Sequence, residues 1–428
     1  GVALAGAQEE CGKVMMEYAR RQGGTEEAVV LGAGFRAPAA LAALANGTMA
    51  HALDYDDINR TMFGHPSAPL LPTVLALGER ESRSGVDVLA AFVVGFEVET
   101  KLRMALGPDY SDDLGWHPTA PLAAIGCAAA AARLLGLDVN QTAMTLSLAA
   151  SQASGLRGNF GTMTKPFHVG HSARSGIVSA DLVALGFTAS DRALEHRYGF
   201  LNAFSGMKGW DGSRIEGKLG QPWDIVQPGI AIKNYPCCGS SHRALDAILA
   251  LIASDDIKAE DVEFVDCQVS FDPPRSLIHS NPQTGLEGKF SMEYCVAAAL
   301  LDKRITLGTF EDDQVQRPEI RRLMQLVKMR RVPGDEGQPT WSKPEEHVVV
   351  HLKGGRQLRY SVHTPKGEGN NPLSDEEVRN KYRDTAGRAL PSDLVERTTD
   401  LIGSLETVAN VRQLADLLAR TAAPAGVA

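Results

Sequence analysis

Between residues 37 and 234 apolar side chains recur at spacings of three and four, and the breaks between runs are Gly and Pro rather than long polar stretches. With 3.6 residues per turn, such positions fall on one face of a helix. The pattern predicts helices over 37–45, 71–83, 86–106, 119–135, 140–154 and 172–186, several so nearly all-apolar that they read as buried members of a bundle. Beyond Pro236 the period changes. Residues 262–271 (VEFVDCQVSF) alternate apolar and polar, and 347–352 and 357–362 flank Gly354-Gly355 as the arms of a hairpin. Helical spacing returns at 291–301 (SMEYCVAAALL). SDEE at 374–377 then matches a capping box, followed by amphipathic stretches at 394–405 and 408–418. The expected fold is mainly α: a large all-helical domain from 1–234 and 371–428, with a smaller α+β domain inserted at 235–370.

Composition narrows the function classes. A chain of 428 residues can bury a sizeable core in two or three domains. Its formal net charge of -9, with no long Lys/Arg run, argues against a nucleic-acid surface while leaving room for small anions where a few cations converge. The cysteines at 11, 127, 237, 238, 267 and 295 form no CxxC pair and no zinc spacing with His. A disulfide framework is therefore not expected, and a reducing cytoplasm fits. The apolar run at 86–98 is broken by Asp87, Gly95 and Glu97, and the opening GVALAGA lacks basic residues, so neither is expected to target or span a membrane. The chain starts in mid-pattern without Met, and an upstream segment is expected.

Chemistry concentrates at 46–72, NGTMAHALDYDDINRTMFGHPSAPLLP, where two histidines and three aspartates stand between Ala- and Leu-rich segments. Charges this dense beside core-forming sequence are costly to bury unless they pair with one another or with a ligand. A helix continuing to about Asp57 would put His51 and Asp54 one turn apart, with Gly64 and Pro66 holding His65 in a loop. A competing signal, Gly32-Ala33-Gly34-Phe35-Arg36-Ala37, fits a loose dinucleotide-binding pattern after the strand-like 28–31. No second strand-helix-strand alternation follows it, so a glycine turn before a helix is the favoured reading.

NGTMAHALDYDD followed by GHPSAPLLP, with GWHPTAPLAAIGCAAAAARLLGL, TKPFHVGHSARSG, KNYPCCGSSHRALDA and GKFSMEY, resembles the MmgE/PrpD family in order over nearly the whole chain. The resemblance implies a usually dimeric, two-domain protomer whose inserted α+β domain acts as a lid. Carried over by position, it implies Asp54, His65, His117 and Lys165 as catalytic residues, and Lys233, His242 and Tyr294 as substrate-binding residues. His168 and His171 are left as supporting or structural. Ile58 departs from the pattern: the family's dehydratase and decarboxylase branches carry Thr there, a hydroxyl able to hold a substrate carboxylate. The cysteines at 237 and 238 resemble a less characterised branch.

The implied reaction is that of a lyase on a small di- or tricarboxylate, a 2-methylcitrate dehydratase-like elimination begun by removing the proton alpha to a carboxylate. Decarboxylation of cis-aconitate and epimerisation of a dicarboxylate use the same kind of pocket, and a non-catalytic carboxylate-binding protein is the alternative of another class. All three reactions build negative charge beside an existing carboxylate, which nearby cations stabilise in a closed site. Histidine moves protons most readily near neutrality, so His65 and His117 are candidates for base and acid, with Asp54 orienting one of them or acting as base itself. No metal or cofactor is expected, because the scattered cysteines do not read as an iron-sulfur set. Lys233 and His242 lie where the lid is expected to begin, and its closure would complete the pocket.

Overall fold

The 3.6-residue period is realised as helices in the computed structural model, which describes residues 1–107, 110, 114–333 and 345–419. They are α1 (Ala39–His51), α2 (Ser67–Arg80), α3 (Gly85–Leu106), α4 (Ala120–Leu135), α5 (Val139–Ala150) and α6 (Thr164–Ala184). Capping boxes open α3 (Ser84 with Asp87) and α5 (Asp138 with Gln141), satisfying amides that a helix start leaves without partners. α6 begins eight residues earlier than the apolar pattern suggested, because TKPFHVGH forms its first two turns with Pro166 near the start, where a missing amide costs nothing.

Small residues set how closely these helices approach. A Cβ on Gly47 of α1 would lie 2.8 Å from the Gly170 Cα of α6, and one on Gly170 would lie 2.1 Å from the Leu44 carbonyl oxygen. One on Gly176 would meet the Cys127 backbone of α4 at 2.6 Å. α4 is buried without interruption from Ala120 to Ala132, as its Ala-rich, moment-poor sequence requires. Dispersion across such backbone contacts adds to that of large buried side chains such as Leu70, Phe96 and Ile177 in holding this bundle.

The chain forms two compact units, Gly1–Asn159 with Met163–Ile230 and the stretch from Ser374, and Phe160–Thr162 with Ala231–Leu373. In the first, the returning helix Asp375–Ala386 opens with the Ser374/Glu377 capping box. Its Lys381 donates to the Tyr55 carbonyl at 2.7 Å and lies 3.8 Å from the centre of the Tyr55 ring. Residues Ala28–Val30 pair antiparallel with Phe35–Ala37, and Gly32 and Gly34 take φ of 68° and 72° between them. Those glycines serve a hairpin turn, not a phosphate cradle.

The second unit carries a four-stranded sheet of β1 (Val262–Val269), β2 (Val327–Arg331), β3 (Glu346–Leu352) and β4 (Gln357–Val362), in the order β2-β1-β3-β4. β3 and β4 form the hairpin expected across Gly354-Gly355, in the register Val348 to Tyr360. β1 pairs antiparallel with β3 and parallel with β2, a strand whose sequence VKMRR shows little of the usual signal. Leu245 and Ile248 of His242–Asp255 and Val296 of Met292–Asp302 pack with Val265, Val348 and Val350 in one core. Among the described residues no helix is long and apolar enough to cross a membrane.

Candidate active site

α1 stops at His51 rather than near Asp57, so the expected one-turn spacing of His51 and Asp54 is not formed; Asp54 takes a φ of 50°. The carboxylates find better partners off the helix axis. Asp57 accepts from the Ser67 amide at 3.1 Å and the Ser67 hydroxyl at 2.5 Å, serving the start of α2. Asp54 instead meets Lys165. The loop between is pinned from several sides: Asn59 donates to the Asp224 carboxylate at 3.0 Å and the Gly229 carbonyl at 3.1 Å, and the His65 amide donates to the Thr119 hydroxyl at 3.1 Å. The His117 amide donates to the Gly155 carbonyl at 2.9 Å, fixing the turn before α4.

The side chains converge around Lys165, which stands in the first turn of α6 and is 4% exposed. Its Nζ lies 2.9 Å from Asp54 Oδ1 and 2.7 Å from His51 Nε2. The other ring nitrogen of His51 lies 3.0 Å from Asp56 Oδ2, and the same oxygen is 3.0 Å from His65 Nδ1. His65 Nε2 is 3.7 Å from Asp54 Oδ1. The ring of His117 lies 6.0 Å from that of His51, and its Nδ1 is 3.2 Å from Nδ1 of His168, one turn beyond Lys165 on α6.

Burial dominates the electrostatics. It pushes His51 down to about 4 against the opposing pull of Asp56, and lowers His168 to about 4. His117 is driven well below the usual imidazole range by burial and then by Lys165. Burial alone would raise Asp56, but the facing His51 and His65 outweigh it and hold its carboxyl well below the ordinary value. Asp57 rises to about 6 through burial and its neighbour Asp56. At neutral pH the Lys165 side chain therefore stands among carboxylates and the imidazoles of His51, His117 and His168, which burial keeps uncharged.

His51, Asp54, Asp56 and His65 each place a ligand atom within 4.8 Å of the others, a donor set that suits a divalent cation. The ammonium of Lys165 already sits on two of these donors, Asp54 and His51.

Of the residues singled out from the sequence, Asp54, His65, His117 and Lys165 meet here. Lys233, His242 and Tyr294 belong to the second unit, all deeply buried. There His242 Nε2 lies 3.2 Å from the Cys237 carbonyl oxygen, and the Tyr294 hydroxyl donates to the Thr309 carbonyl beside the ring of Phe310. Sequence reasoning assigned no role to His51 and Asp56, and treated His168 as support. The available signals were the i, i+3 spacing of Lys165 and His168 on one helix face, and the extra carboxylate within DYDD.

The description MmgE/PrpD N-terminal domain matches residues 1–213, and MmgE/PrpD C-terminal domain matches residues 235–407. The chain belongs to the MmgE/PrpD family. It is 29% identical over 435 residues to the cis-aconitate decarboxylase of Mus musculus, spanning 98% of this chain and 86% of that protein. It is 28% identical over 424 residues to the cis-aconitate decarboxylase of Aspergillus terreus, spanning 91% and 83% respectively. A cis-aconitate decarboxylase-like protein of Aspergillus oryzae, oryM, is 28% identical over 402 residues, with 88% and 82% covered. As a MmgE/PrpD protein with such relatives, the chain is an enzyme of the lyase class.

Proposed function

We propose that this MmgE/PrpD enzyme acts on a small polycarboxylate, and that loss of carbon dioxide from an unsaturated tricarboxylate of the cis-aconitate type is its reaction. The relatives named above support the choice of decarboxylation over the dehydration expected from sequence. The observation that carries a carboxylate substrate is the buried Lys165 ammonium held by Asp54 and His51 among neutral histidines. Breaking the carbon-carboxylate bond releases carbon dioxide and leaves its electron pair on carbon, as a carbanion delocalised toward an adjacent carboxylate. A fixed cation in a water-poor site stabilises that charge as it grows. One proton delivered to carbon then converts the trianion into a dianion.

Substrate charge also changes the imidazoles. A bound trianion favours their protonated forms, so binding is coupled to proton uptake by His65 or His117, and the acquired proton is the one handed to carbon. Asp54 keeps the ammonium in place. A second reading, proton exchange on a dicarboxylate, is favoured by Ile58, whose apolar side chain offers no hydrogen bond to a third carboxylate.

Proton NMR in deuterated water separates the outcomes. Incubation with cis-aconitate is expected to release carbon dioxide and give a dicarboxylate carrying one solvent deuteron. Loss of water from 2-methylcitrate or citrate would establish the dehydratase instead. Deuterium exchange into a dicarboxylate without net conversion would establish the epimerase. No change in any of these acids would remove the proposal.

A further inference from the structure

In the proposed reaction His51 neither touches the substrate nor moves a proton, although its surroundings define its chemistry unusually tightly. Ring-nitrogen protonation is ordinarily ambiguous from heavy atoms alone. Here the partners decide it. Asp56 is a carboxylate and can only accept; it faces Nδ1 at 3.0 Å. Lys165 is an ammonium and can only donate; it faces Nε2 at 2.7 Å. One arrangement satisfies both: a neutral imidazole carrying its hydrogen on Nδ1 and a lone pair on Nε2. The side chain is fully enclosed, with the rings of His65 at 4.4 Å and His117 at 6.0 Å.

We infer that His51 is a positioning residue for Lys165, and that Asp56, His51 and Lys165 form a hydrogen-bonded chain that fixes the ammonium for the reaction. One ammonium proton is committed to His51 Nε2 and another to Asp54 Oδ1, so the head of an otherwise flexible side chain has a single orientation. A neutral acceptor matters for an anionic substrate. It orients the ammonium without cancelling its charge, whereas another carboxylate at that place would repel the ligand. Asp56, one residue from the loop's Tyr55 anchor, holds the tautomer that makes Nε2 an acceptor. The groups facing His51 are Asp56, Lys165, His65 and His117.

The kinetic part of this inference rests on the lyase reading; the tautomer does not, and the test uses that separation. In substrate-free enzyme labelled with 15N-histidine, the His51 signals are expected to report the neutral, Nδ1-protonated form from about pH 5.5 to 8, and Asp56→Ala to lose that preference. A His51 that is Nε2-protonated, or an imidazolium at pH 7, overturns the inference whatever the enzyme catalyses. For turnover, His51→Leu is expected to lower kcat by roughly a hundredfold with KM within about threefold, the mark of a misplaced catalytic group. His51→Gln, whose Oε1 can accept where Nε2 did, is expected to stay within about tenfold of the parent kcat. If His51→Leu fails to fold, His51→Gln and the NMR measurement carry the test. Folded Leu and Gln variants that are equally slow, or a Leu variant at the parent rate, overturn the positioning role. Absence of turnover in the parent enzyme sinks the reaction proposed above and leaves the tautomer result standing.

Discussion

Two lysines of the helical unit are buried to the same degree, with side chains 6% and 5% exposed, and they do opposite things. Lys101 lies 3.3 Å from Asp224 and 3.7 Å from Glu97, and donates to the Pro222 carbonyl at 3.2 Å. Both acids have further donors of their own: the Gly220 and Asp224 amides serve Glu97, while Thr61 and Asn59 serve Asp224. Lys165 has Asp54 as its carboxylate partner and shares the rest of its surroundings with imidazoles that burial keeps uncharged. A network of charges saturated by backbone and amide donors ties a loop in place. A cation set among proton acceptors can answer a change of charge, and the difference between structure and chemistry lies there rather than in burial.

The sharpest way to break the comparison is to remove each cation. Lys165→Met is expected to lower kcat at least roughly a thousandfold, since the carbanion of the proposed reaction would lose its fixed counter-charge. Its folding should suffer less than that of Lys101→Met, because His51 and His65 beside Asp54 can take up a proton and refill the missing charge. Lys101→Met leaves the buried carboxylates of Glu97 and Asp224 without their shared ammonium, an expected loss of about 3 kcal/mol or more by denaturant unfolding. Equal destabilisation by both variants would erase the distinction.

Acid sharpens it further. An unfolded histidine takes its proton near 6.5 and folded His51 near 4, so the unfolded chain binds the proton first and stability falls as pH drops through that window. The cost from His51 is on the order of 3 kcal/mol. Asp57 works the other way, since its folded value of about 6 lets the native state take a proton early and gain stability as pH falls from about 6 toward 3.8. His168 and His117 add to the loss, so net destabilisation between pH 6.5 and 4 is expected. Thermal midpoints across that range should fall less steeply in His51→Leu than in the parent.

The smallest effect concerns Glu99, fully buried with neither carboxyl oxygen hydrogen-bonded and its proton affinity raised well above normal by burial and then by Asp57. It belongs to neither class of network. Because burial favours its neutral form, it should tolerate Glu99→Gln within about 1 kcal/mol. A raised folded pKa gives stability that is full below the ordinary carboxylate value of 4.5 and is lost as pH rises above it, so the variant's thermal midpoint should fall less than the parent's as pH rises from there.

The helices and the β3–β4 hairpin were legible because each rests on local periodicity: α4 reads as buried from its Ala run, and Gly354-Gly355 marks its turn. The strand β2 was not, because its VKMRR pairing comes from β1 and not from its own composition. Within the site, residue types and family order pointed to Asp54, His65, His117 and Lys165. The end of α1 at His51 could not be read, and the partner that Asp54 finds beyond it is a lysine 111 residues along the chain. His51 and Asp56 escaped for the same reason: their roles are relations to Lys165, and composition carries no distances.

Lys381 reaches back across 326 residues to hold Tyr55, the residue between Asp54 and Asp56. During synthesis, a ribosome that has already emitted every residue of the lysine-histidine cluster has yet to emit the clamp on the loop that carries it. The last tether of that loop therefore arrives late in translation, and shortened chains ending before that helix would carry the right side chains in a loop without its Tyr55 clamp.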